Sequence, residues 1–146
     1  MKKFNFSQQN LLDIREAQKQ SVEQLLQQQA AQVEYEQNLY DKFKANLQQA
    51  KLQDWLREMP ISEFSQYKQQ QIKFWDQKAQ KQFQNLSKAE KIYDEYVEKL
   101  KLAVQECKKL EKICIKEKKK WQIENNRAES KIIDEIASRK VFYEYT

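Results

Sequence analysis

The chain has 146 residues, 34% of them charged, with 27 basic against 22 acidic side chains, a formal net charge of +5, one proline, no glycine and no histidine. Without glycine there is no Gly-rich phosphate loop, dinucleotide fingerprint or tight strand-to-helix nucleophile turn; without histidine the commonest general base and transition-metal ligand are missing. Composition therefore favours a single non-globular helical unit, excludes nucleotide binding by the usual devices, and leads us to expect a non-enzymatic protein with no catalytic residue, cofactor or metal.

The N-terminal MKKFNF is basic, but polar SQQN follows where a signal peptide would place its apolar segment. No run approaches the ~20 apolar residues of a membrane-crossing helix, so a soluble cytoplasmic protein is expected. The first predicted helix runs from about residue 5 to 57. Its core line is a heptad through Leu12, Lys19, Leu26, Val33, Tyr40 and Leu47, with Arg15, Val22, Gln29, Glu36, Phe43 and Ala50 as companions. Leu11, Ile14, Leu25 and Leu39 lie beside that line and widen the apolar stripe. Lys19, Gln29 and Glu36 interrupt it, which argues for a hairpin that gains stability from a partner.

The corner is expected at about residues 58–61, within REMPISEF. Pro60 cannot continue a helix and restricts Met59, while Ser62 followed by Glu63 offers a new N-cap and first turn. The second predicted helix runs from about residue 62 to 143. Steps of three and four mark a regular seam through Ile72, Trp75, Ala79, Gln82, Leu86, Ala89, Tyr93, Tyr96, Leu100, Ala103, Cys107, Leu110, Cys114, Glu117 and Trp121. Phe64, Tyr67 and Phe74 precede or flank it on another face; hairpin packing near the corner accounts for them, and a binding site is the alternative.

Cys107 and Cys114 are one heptad apart, with about 10 Å of rise between them, too far for a disulfide within the helix and best read as core-lining thiols in a reducing compartment. The lysines of KKLEKICIKEKKKW spread over the solvent-facing sides of the helix. A solvated flank explains them more simply than an anion site, and arginines with interleaved aromatics, which nucleic-acid binding would call for, are absent. No nucleic-acid partner is expected. Glutamine clusters such as QLLQQQAAQ keep helix propensity while lowering charge.

Helices of these lengths span roughly 80 and 120 Å, so the second must outrun the first. An antiparallel fold about Pro60 sets Phe4 and Phe6 opposite the region of Cys114 and leaves everything past about Trp121 projecting. The stretch ESKIIDEIASRK, residues 129–140, sits on that projection with three isoleucines that need a surface to bury against, unless the end simply frays. The fold class expected is thus all-α: one long two-helix antiparallel coiled-coil hairpin over residues 1–146 with an overhanging C-terminal helix.

The two ends together resemble a known family. KKFNFSQQNLLDIREAQ at the start and LEKICIKEKKKWQIENNRAESKIIDEIASRK near the end are similar to the flagellar type III export protein family FliJ. The resemblance spans essentially the whole chain. It implies a hairpin like the central stalk of rotary ATPases, bound in the centre of the hexameric flagellar export ATPase, promoting its assembly and hydrolysis. The other partners it implies are the cytoplasmic domain of the transmembrane export gate and the export chaperones, with peripheral association at the inner face of the cell membrane at the flagellar base. Carried over by position, the ATPase-facing candidates are Phe4, Phe6, Leu11, Ile14 and Arg15 with Ile132, Ile133, Asp134, Glu135, Ile136 and Arg139. The gate-facing candidates are Tyr40, Phe43, Tyr67, Phe74 and Trp75. The alternatives are the equivalent stalk of a virulence type III secretion system and a generic cytoplasmic coiled-coil scaffold.

Overall fold

The structure, a computed structural model, describes residues 3–55 and 58–145, with side chains described as far as residue 140. Two helices carry nearly all of it: α1, Gln9–Leu52, of 44 residues, and α2, Ile61–Tyr145, of 85 residues. They pack against each other, and no strand occurs among the described residues, so the fold is an all-α helical hairpin. Every seam position expected from the three–four spacing is buried or half-buried, from Leu12 to Ala50 in α1 and from Ile72 to Trp121 in α2. The heptad thus does what heptads do, setting one narrow stripe of each helix against the other. Of the residues beside the α1 line, Leu39 is half-buried while Leu11, Ile14 and Leu25 are exposed.

The chain divides into two compact units, Met1–Lys19 with Leu102–Thr146, and Gln20–Lys101. In the second of these the helices run antiparallel in a defined register. The Gln29 Nε2 donates to the Ala89 carbonyl at 3.0 Å, the Gln82 Nε2 donates to the Glu36 carbonyl at 3.0 Å, and the Phe43 and Trp75 rings meet with centroids 6.0 Å apart. The Gln82 amide also donates to the Glu36 carboxylate. Two polar interruptions of the α1 line are therefore matched by donors or acceptors on α2, and they specify alignment, as isolated polar core positions do in coiled coils.

The corner belongs to the same unit, and its described residues show no positive φ, in keeping with the lack of glycine. Helix α1 stops at Leu52, short of the expected limit near 57, and Gln53, Asp54 and Trp55 are non-helical; Leu56 and Arg57 lie outside the described residues. Lys68 reaches back and donates to the Gln53 carbonyl at 3.2 Å, satisfying a helix-end acceptor with a cation. The Trp55 indole donates to the Met59 carbonyl at 3.0 Å, closing the turn. Helix α2 begins at Ile61, before the expected N-cap Ser62: the Pro60 carbonyl already accepts the Phe64 amide at 2.9 Å, and proline's missing N–H costs nothing there. Phe64, 7% exposed, buries itself beneath this turn.

In the other unit, the chain enters as an extended arm. Expected to be helical from about residue 5, α1 starts only at Gln9, after a turn in which the Phe6 carbonyl accepts the Gln9 amide at 3.2 Å. The reason lies in what the arm buries. Phe6, at 7% exposure, joins Leu12 and Leu110 in a small core, with Phe4 and Cys114 packed on it. Burying such a ring stabilises the arm by about 2 kcal/mol, more than a further turn of frayed helix would give. Phe4 tilts against Trp121 with centroids 5.9 Å apart, and the Ser7 hydroxyl lies 3.2 and 3.3 Å from the two carboxylate oxygens of Glu117.

Candidate protein-binding surfaces

No helix among the described residues is long and apolar enough to cross a membrane, and no group of three or more potential metal-ligating side chains occurs among them. Cys107 is buried, Cys114 is half-buried, and both thiols are free. What the molecule offers instead is exposed apolar side chains along both helices, and the expected contact residues fall in two of these places.

The first lies in the terminal unit. Between Trp121 and residue 140 only Asn125 and Glu129 are half-covered, and residues 130–140 are all exposed. Ile132, Ile133 and Ile136 are 56, 64 and 60% exposed. Their one-, three- and four-residue separations put them on a single face of α2. Asp134, Glu135 and Arg139 stand around them, none in an ion pair among the described residues. The structure does not bring the arm to this face, because Phe4 stops at Trp121 and roughly 17 Å of helix separates Trp121 from Ile132. Phe6 is spent in the arm's own core. Leu11 and Ile14, 40 and 54% exposed, are open on α1, while Arg15 is half-buried and donates to the Gln18 side chain at 3.1 Å.

The second surface lies in the other unit and is aromatic. Trp75 meets Phe43 and also Phe74, the latter edge-on with centroids 5.0 Å apart at 76°. The Lys78 ammonium sits over all three rings, 5.4 Å from Phe43, 5.0 Å from Phe74 and 5.7 Å from Trp75. Such contacts are each worth about 0.5–1 kcal/mol at an exposed site, and here they hold the aromatic group in place. Tyr40 is stacked obliquely with Phe83 at 5.6 Å and carries the Lys44 ammonium at 5.2 Å. Tyr67, 40% exposed, lines an open groove of about 500 Å³ with Trp75, Ala50 and Leu52. A second groove of about 430 Å³ runs between Tyr40, Leu47, Ala79 and Phe83.

Of the five aromatic candidates of this unit, Phe43, Phe74 and Trp75 thus form one cluster, Tyr67 shares a groove wall with Trp75, and Tyr40 pairs with Phe83. Phe83, Lys78 and Lys44 join them although the seam analysis passed over them. Lys78 stands three and four residues after Trp75 and Phe74, and Lys44 four after Tyr40. That spacing is the one signal that could have found them.

The fold is that of an all-α coiled-coil hairpin with exposed apolar faces. The family description "Flagellar FliJ protein" matches residues 5–144. The chain belongs to this family and is a component of the flagellar protein export apparatus. No match is found among curated proteins or among solved structures.

Proposed function

We propose that the chain is a stalk-like, non-enzymatic adaptor of the export apparatus, seated in the centre of the hexameric export ATPase and linking it to the export gate and export chaperones. It acts in the cytoplasm, held at the inner face of the cell membrane through the apparatus. The observation that carries this reading is the projecting end of α2. Its isoleucines are more than half exposed on a helix with no tertiary partner among the described residues. An isolated helix of this length is marginal in water and gains most by burying an apolar face against another protein.

In this reading Ile132, Ile133 and Ile136 supply the buried contact, and Asp134, Glu135 and Arg139 orient it. Leu11, Ile14 and Arg15 add a second strip on α1. Phe4 and Phe6 act one step removed, by fixing the arm that keeps α2 regular up to the projection. The aromatic group of Tyr40, Phe43, Tyr67, Phe74 and Trp75 is the gate-facing surface. The coupling is conformational: a stalk bound differently to the successive states of a ring biases their populations and needs no chemistry of its own.

The test is to mix the protein with the cognate export ATPase and follow hexamer formation and ATP hydrolysis. Both should rise. Ile133→Asp with Ile136→Asp should abolish the rise while circular dichroism shows the helicity nearly intact. No effect of the unaltered protein on either quantity would remove the proposal, and a parallel-dimer mass in solution would point to a scaffold instead.

A further inference from the structure

The outward face of α2 between Leu102 and Asn126 is basic and aliphatic. The positions one, two and five residues past the seam residues Leu100, Cys107, Cys114 and Trp121 look away from the hairpin, and from 102 onward all of them are exposed. None is a carboxylate. Five are lysines, Lys108, Lys109, Lys112, Lys116 and Lys119, and three are aliphatic, Leu102, Ile115 and Ile123, at 62, 56 and 53% exposure. Just upstream the same outward positions hold Asp94, Glu95 and Glu98, so the stripe has a definite edge. Of the five lysines only Lys109 has an ion pair among the described residues, a 3.7 Å contact with exposed Glu106. That pair is too solvated to neutralise it.

We propose that this stripe, roughly 36 Å long, is a docking face for the anionic phospholipid surface of a membrane. A chain of flexible ammonium groups suits a fluid field of phosphates, whereas the fixed carboxylates of a protein partner are better met by the planar fork of arginine, which this stripe lacks. Leu102, Ile115 and Ile123 share the lysine face. Aliphatic side chains flanked by snorkelling lysines can enter the headgroup region to a shallow depth while the charges stay at the phosphates. Nucleic acid would be served by interleaved aromatics for stacking, and the stripe has none.

The experiment is flotation of the full chain with vesicles of pure phosphatidylcholine and of phosphatidylcholine containing phosphatidylglycerol, at 0.15 M and 0.5 M salt. It contains no ATPase, so its result is independent of the stalk reading. The protein should float with the anionic vesicles at the lower salt only. Replacing Lys112, Lys116 and Lys119 by Gln should weaken binding on the order of a hundredfold, at about fivefold per lysine, while replacement of the same three by Arg preserves it. Ile115→Ser with Ile123→Ser should weaken it at least about fivefold without altering its salt dependence. No flotation, equal flotation with neutral vesicles, or an undiminished triple Gln variant would overturn the proposal. So would capture by polyglutamate or RNA as strong as by anionic vesicles, which would assign the stripe to an acidic protein or to nucleic acid.

Discussion

Glu36 and Gln82 occupy facing positions in a seam that is otherwise mostly apolar, and each would be a liability without the other. Gln82 is 6% exposed, and its amide serves both the carbonyl and the carboxylate of Glu36. Gln82→Leu should therefore lower stability by about 1 kcal/mol in denaturant unfolding, despite adding an apolar side chain to the seam, because Glu36 loses its donor. Replacing both by Leu should restore or exceed the original stability. Spacing alone located both residues in the core line, and it marked Glu36 as an interruption. What spacing could not supply was the partner, since that depends on the register between helices. A register is a property of two segments, and a heptad in one is silent about it. The same limit hid the contact of Lys78 with Phe43 on α1, whereas its contacts with Phe74 and Trp75 are local to α2.

At the scale of elements, α2 is a single helix whose environment changes along it, from the packed stretch around Leu86 and Ala89 to the bare stretch of residues 130–140. Hydrogen exchange should report the change directly. Amides near Leu86 and Ala89 should be strongly protected, those of residues 130–140 should open with a cost below about 1 kcal/mol, and adding the export ATPase should protect the latter. Protection unchanged by the ATPase would show that the isoleucine face is not what the ring grips. The entry arm is the other informative element. Phe6→Ala should release it and raise the alkylation rate of the already half-exposed Cys114 by about severalfold, with the overall helicity barely altered. The start of the chain carried no clear break in helix propensity, so the arm was invisible in it. A pair of phenylalanines gains more by folding onto α2 than by continuing a turn, and only the presence of α2 makes that choice available.

For the molecule as a whole, contacts are local along the hairpin: each residue meets its neighbours on its own helix and a few on the other. Stability in such an arrangement is nearly a sum of neighbouring terms. Phe6→Ala in one unit and Trp75→Ala in the other should be additive within about 0.5 kcal/mol in unfolding free energy, as sites that share no partner are, and a larger coupling energy in the double variant would contradict local contacts. The fold class was legible throughout, since absence of glycine, one proline and two long heptads leave little besides a hairpin. The residues of the terminal surface were legible as an oddity of pattern, but their assignment to a receiver came from resemblance, which periodicity cannot replace. The polar pairings across the seam carry a mechanical meaning. If α2 slid by one heptad against α1, Gln82 would move to Gln29 or Phe43, and Glu36 would face Ala89, which has no side-chain donor, or Trp75, and would lose the Gln82 amide in either register. The hairpin is keyed, in the way a shaft is keyed to its hub, and resists sliding of one helix along the other.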